Sequence, residues 1–315
     1  LKIHDTISTQ FAKRLKNPSI PAIKINLYNG KEVKAVKSAI NHLNGLSGFT
    51  SPDCFMVGDS LLTTHMMQEN THLESVEEQD AFIKRMLDAI ADVRFAMDKY
   101  FEDEERPYLI GDLPDGSSSS KERLLQVSKK MITSGEDVIK LEIATKSDLI
   151  LIKHLVVNNI PVAAHVGYVP QKNKNRKYGQ TLDEALELIH LVHLAGEYGA
   201  CAIILERIAE ELNSLLCNPS KNKLPIYSIF SGKAQGGGQS LNVWDSVYKP
   251  GFKSNFFPPT AQFTTDTYPN SYTHDKIAEC FYNLLKMTLE GNFPKSPSKC
   301  LASEDILYLE SMDPL

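Results

Sequence analysis

The sequence predicts a (β/α)8 TIM barrel, and three observations lead there. Short apolar runs alternate with longer amphipathic stretches, and the pairs can be counted to eight. Several runs are almost continuously apolar or β-branched, as strands buried on both faces require. Titratable residues follow or end five successive runs, and barrels of this class carry their reactive groups at C-terminal strand ends.

Seven strands are expected, at Ala22–Tyr28, Cys54–Val57, Tyr108–Ile110, Val138–Leu141, Ile160–Ala164, Cys201–Leu205 and Pro225–Phe230. Helical spacing falls between them, over Glu32–Leu43, Val76–Tyr100, Lys121–Ile132, Ser147–Val157, Leu182–Tyr198 and Glu210–Leu216. An eighth strand is expected near Phe252–Phe257, followed by a helix over His274–Leu289. Pro170-Gln171 and Gly236-Gly237-Gly238-Gln239 read as turns, and Lys172–Gly179 as a loop. No boundary interrupts the first 290 residues, so residues 1–315 are expected to form a single domain with a C-terminal extension from about 291.

Composition narrows the function classes. A net charge of −5 supplies no basic field for nucleic acid. No segment approaches the roughly 18 apolar residues that span a bilayer, and the first residues lack a secretory pattern. A cytoplasmic protein acting on a small molecule is expected. The five cysteines are scattered, without a Cys-x-x-Cys pair, and read as reduced thiols.

The strand-end residues carry the chemistry. Asp59 follows the second run, Asp112 the third, and Glu142 the fourth. A lone aspartate at such a position usually caps a helix or closes a loop ion pair. Three carboxylates at equivalent strand ends instead suit a hard divalent cation such as Mg²⁺. Lys140 lies two residues before Glu142, so strand alternation turns both to one face, where a buried ammonium needs an anion. His165 follows the fifth run. Glu206 follows the apolar run Cys201–Leu205, a setting that favours a general base, although Arg207 and Glu210 also permit a plain surface network.

Five motifs in register resemble the ketopantoate hydroxymethyltransferase family of the phosphoenolpyruvate mutase/isocitrate lyase superfamily of barrels. They are Val57-Gly58-Asp59-Ser60-Leu61, Ile110-Gly111-Asp112-Leu113-Pro114, Ile139-Lys140-Leu141-Glu142, Ala164-His165-Val166-Gly167-Tyr168-Val169-Pro170-Gln171 and Ile204-Leu205-Glu206. The resemblance implies Mg²⁺ or another divalent metal on Asp59, Asp112 and Glu142. It implies a 2-oxo acid oriented by Ser60, Lys140, His165 and Tyr28, with Glu206 as the base. The implied reaction transfers a hydroxymethyl group from 5,10-methylenetetrahydrofolate to 2-oxoisovalerate through an enolate, giving ketopantoate for pantothenate biosynthesis. A homo-oligomer follows by the same analogy, with a decamer as the candidate form.

Several segments depart from the family, among them a shorter stretch between Gln171 and Thr181, an extended loop before strand two and an insertion around Tyr100–Arg106. The family's Gly-Gly after the fourth-strand Glu is Ile143-Ala144 here, and its Gly-x-Gly-x-x-x-Asp-Gly-Gln after strand seven is Ser231–Gln239. These departures leave room for a related 2-oxo-acid lyase or aldolase with the same enolate half and another electrophile. A non-catalytic metabolite-binding homologue is the third reading, which the retained Glu206 disfavours because a binder needs no base. The isocitrate lyase nucleophile segment Lys-Lys-Cys-Gly-His is absent from the sequence.

Overall fold

The computed structural model describes residues 2–15, 22–47, 49–66, 68, 71–172, 177–222, 224–241, 273–291 and 296–312. Eight parallel strands form a closed barrel in sequence order: β1 (Ile23–Asn26), β2 (Cys54–Val57), β3 (Tyr108–Asp112), β4 (Val138–Glu142), β5 (Val162–Gly167), β6 (Ala202–Glu206), β7 (Ile226–Ile229) and β8 (Gly238–Leu241). Every strand residue is buried except Glu206, as expected where helices cover the sheet.

The chain divides into two compact units: Leu1–Ile23 with Lys140–Ser240 and Phe293–Leu315, and Lys24–Ile139 with Leu241–Asn292. In the second unit, α2 (Gly30–Ser47) packs on α4 (Val76–Tyr100) and α9 (His274–Leu289), and α4 on α5 (Lys121–Ser134). The short α3 (Leu61–Thr64) follows β2 directly. Helix starts follow local chemistry: Ser75 and Glu78 form a reciprocal capping box on α4, and Ser120 accepts the Arg123 amide at the start of α5. Strand register pairs Val57 with Gly111, bringing the second and third strand ends level.

The first unit contains α6 (Leu149–Val157), α7 (Leu182–Glu197) and α8 (Glu210–Leu216), with β5 and β6 in register from Ala163↔Ala202 to Gly167↔Glu206. Its N-terminal α1 (Lys2–Leu15) was not anticipated. Ile7 and Phe11, one turn apart, are both buried, and the Phe11 ring meets Tyr227 edge-on at 5.3 Å. The C-terminal α10 (Ser303–Ser311) packs on α8, and Lys221 Nζ donates to the carbonyls of Glu310 and Met312.

The eighth strand corrects the sequence expectation. It lies at Gly238–Leu241, while Phe252–Phe257 falls outside the described residues. Gly238 and Gln239, read as part of a turn, pair with Tyr227 and Ser228 of β7, and the Gln239 amide donates to Ala22 O. The close packing explains the composition: a Cβ on Gly238 would sit 2.7 Å from the Tyr227 ring. A strand reading Gly-Gln-Ser-Leu carries no apolar run to mark it. Among the described residues, no helix is long and apolar enough to cross a membrane.

Candidate active site

At the ends of β1 and β2, hydroxyl and ionisable groups close a hydrogen-bonded ring. Tyr28 Oη and Ser60 Oγ share a 2.7 Å bond, and Thr64 Oγ1 donates to Ser60 O at 2.8 Å. Thr64 Oγ1 also meets His65 Nδ1 at 2.9 Å, while His65 Nε2 meets Glu32 Oε1 at 2.8 Å. Glu32 Oε2 then accepts the Tyr28 amide at 2.6 Å, completing the ring. The His65 and Tyr28 rings lie 4.9 Å apart. Folding creates this cluster because the β1–α2 and β2–α3 turns are short and their strands pair in parallel.

Beside it, the Asp59 amide points to Asp112 Oδ2 at 3.4 Å, and both carboxylates are buried. Oxygen donors of this kind fit a hard divalent cation, and Mg²⁺ keeps several waters, so two carboxylates can anchor it. Among the described residues no three His, Cys, Asp or Glu side chains gather as a ready ligand cage. Behind Asp112, the buried Glu136 carboxyl lies against Gly111, where any Cβ would overlap it. Burial pushes the Glu136 pKa well above 4.5, with the charges of Asp112 and Asp137 adding to the rise and Arg94 opposing it.

The second group is linear. His165 is 1% exposed, with Nδ1 3.8 Å from Glu142 Oε1 and Nε2 3.2 Å from Glu206 Oε2. Glu142 Oε2 accepts the Gln171 amide at 3.0 Å, which gives the Pro170–Lys172 turn a role in holding the carboxylate. Glu206 remains 18% exposed at its side chain and is therefore the reachable member. Gly167, paired with Glu206 in the sheet, has φ 97°, and a Cβ there would collide with Glu206 O. Only glycine accommodates both the angle and the approach.

The structure thus gathers Tyr28, Asp59, Ser60 and Asp112 in one group and Glu142, His165 and Glu206 in another. Lys140 is buried on β4, two residues before Glu142. Sequence reasoning did not single out Glu32, His65 or Glu136, each of which also meets a partner remote in the chain. Arg207 carried a visible signal, as a cation directly after Glu206. Three of the cysteines are poor nucleophiles: burial raises the Cys201 and Cys217 thiols to about 12 and Cys280 to about 11.

The sequence profile described as ketopantoate hydroxymethyltransferase matches residues 49–294. A 3-methyl-2-oxobutanoate hydroxymethyltransferase of Legionella pneumophila is 24% identical over 65% of this chain and 73% of its own. One from Francisella tularensis is 27% identical over 74% and 84%. A solved structure named for phosphonomutase, from Burkholderia cenocepacia, superposes with a TM-score of 0.51 at 11% identity, over 75% of this chain and 90% of that one. That last likeness concerns the fold alone.

Proposed function

The chain belongs to the ketopantoate hydroxymethyltransferase family, and on that premise we propose that it forms an enolate from a small 2-oxo acid and joins it to a carbon electrophile. The observation that carries this reading is the reachable Glu206 carboxylate, 3.2 Å from the buried His165 ring. Glu206 takes the proton from the carbon beside the ketone, and the C–H electron pair becomes the enolate double bond. His165 fixes the orientation of that carboxylate and lines the 2-oxo-acid site.

Ser60 and Tyr28 orient the 2-oxo acid through their paired hydroxyls, and Lys140 balances its negative charge. Asp59 and Asp112 would hold a divalent cation, a role that the family resemblance extends to Glu142. When bound, that cation supplies Lewis-acid stabilisation of the charge developing on the ketone oxygen.

Within this reading, family membership favours 2-oxoisovalerate as the acid and 5,10-methylenetetrahydrofolate as the hydroxymethyl donor. A second reading, an aldolase-like enzyme with another electrophile, draws on the departures from the family. Ile143 and Ala144 are buried where the resemblance has Gly-Gly, and Gln239 belongs to β8. The test common to both is exchange of the C3 hydrogen of 2-oxoisovalerate with deuterated water, followed by NMR. Mg²⁺-dependent exchange that falls by roughly 10² or more in Glu206→Gln is expected. Equal exchange in variant and wild type would remove Glu206 as base, and no exchange by wild type with several 2-oxo acids would favour a binding protein.

A further inference from the structure

Directly after Glu206, Arg207 takes a left-handed backbone conformation, φ 57°. For a residue with a Cβ this costs about 1–2 kcal/mol, and such strain persists where the surroundings enforce it. Here the enforcement is visible. The Arg207 amide donates to Ile229 O at 3.0 Å, and its carbonyl accepts Ser298 Oγ. The Ile208 amide donates to Ser231 Oγ at 3.2 Å, while its carbonyl accepts Ser296 Oγ at 2.6 Å. The loop after β6 is therefore pinned by β7, by the segment beyond it and by the C-terminal tail.

The side chain is directed as firmly. The Arg207 guanidinium carbon lies 5.1 Å from the Tyr168 ring centroid and 5.8 Å from that of Tyr178. Both tyrosines are themselves tethered to this loop, since the Tyr168 amide donates to Glu206 O at 2.9 Å and the Ala209 amide to Tyr178 O at 2.7 Å. Arg207 and both rings are half-buried. Stacking engages a guanidinium through its face, and its planar fork of N–H donors is the group that matches a carboxylate.

We infer that Arg207, aligned by Tyr168 and Tyr178, recognises a carboxylate carried by the electrophile that the enolate attacks. The inference rests on the enolate reading above and adds a substrate class to it: the second substrate is an anion. Arg207 directly follows Glu206, so the carboxylate it recognises is carried by a molecule at the same strand end. With an aldehyde acid, the enolate carbon bonds to the aldehyde carbon, the carbonyl π pair moves to oxygen, and that oxygen takes the proton removed by Glu206. No oxidant or reductant is involved. A tetrahydrofolate offers the same anionic chemistry through its glutamate carboxylates.

The experiment compares 4-oxobutanoate with butanal, which has a methyl group in place of the carboxylate, as electrophiles for 2-oxoisovalerate with Mg²⁺. 5,10-Methylenetetrahydrofolate forms a separate arm, so the electrophile consumed identifies the source. The expected result is that Arg207→Gln raises KM for the anionic electrophile and lowers the kcat/KM ratio of 4-oxobutanoate to butanal, or kcat/KM for the folate, at least ten-fold. Arg207→Lys should fall between wild type and Gln. Equal losses with 4-oxobutanoate and butanal, or no loss with any anionic electrophile, would overturn the inference. Should Arg207→Gln not fold, Tyr178→Leu is expected to lower the same selectivity at least three-fold, and unchanged selectivity would count against it. Failure of wild type to exchange the C3 hydrogen sinks the enolate reading separately. The arginine is then judged by calorimetric titration with 4-oxobutanoate: at least ten-fold weaker binding to Arg207→Gln or Tyr178→Leu supports the carboxylate site, and equal affinity refutes it.

Discussion

Around Ser60 the side chains of Tyr28, Glu32, His65 and Thr64 close a ring of hydrogen bonds between 2.6 and 2.9 Å, whereas around Glu206 the ionisable groups stand in a line at 3.2 and 3.8 Å. The first arrangement fixes its hydroxyls in one orientation, as the proposed binding role for them requires. The second leaves a carboxylate reachable and places unusual backbone at its flanks, Gly167 at φ 97° and Arg207 at φ 57°. Closure suits a binding group, and exposure suits a base. Different demands on strand ends thus give different local construction on one repeated supersecondary unit.

Substitutions in the two groups should separate binding from proton transfer. The largest effect on binding is expected for Asp59→Ala or Asp112→Ala. Either should weaken Mg²⁺-dependent binding of 2-oxoisovalerate by more than about a hundred-fold in calorimetric titration, beyond the usual range for residues that support a metal through another ligand. Glu206→Gln, in contrast, should retain that binding while losing exchange. Unchanged metal-dependent affinity in both aspartate variants would dissolve the distinction.

A smaller effect is expected in the ring itself. His65→Ala removes contacts with both Glu32 and Thr64, and losing a positioning hydrogen bond is worth about 1 kcal/mol. The KM for the 2-oxo acid should therefore rise roughly five-fold, with the change carried by KM rather than kcat. An equal fall in kcat would show that the ring shapes the transition state as well.

The strand-end positions of Asp59, Asp112, Glu142, His165 and Glu206 were legible in the sequence because those residues follow apolar runs. The helices Val76–Tyr100, Glu210–Leu216 and His274–Leu289 have the boundaries that their spacing predicts. Lys24 shows where the pattern was incomplete. It lies within a run read as apolar, yet it is 1% exposed, and its ammonium donates to Asn26 Oδ1 at 2.5 Å. Glu32 and His65 stand 33 positions apart, and no periodicity joins residues that meet only after two parallel strands pair. The polar β8 was missed for the related reason that close backbone packing, rather than apolar side chains, makes it a strand.

Gly111 and Glu136 provide the last and most local test, because the Glu136 carboxyl fills the space that any Cβ at Gly111 would need. In the unfolded chain Glu136 ionises near its ordinary 4.5, whereas burial, then Asp112 and Asp137, hold the folded group protonated well above that. Rising pH therefore draws a proton from the unfolded state first, and stability falls from about 4.5 until the folded carboxyl also ionises. In metal-free buffer Glu136→Gln should remove this slope, so its melting temperature should gain on wild type as pH rises above 4.5. Parallel curves would show that the carboxyl is not held protonated. Gly111→Ala should cost about 1–3 kcal/mol by overlap with Glu136. Much of that cost should vanish when Glu136→Ala is present, because the new methyl then enters vacated space, giving a coupling of roughly 0.5–3 kcal/mol in a double-mutant cycle. Strict additivity would instead place the alanine penalty in the strand backbone and break the link between this glycine and the carboxyl behind Asp112.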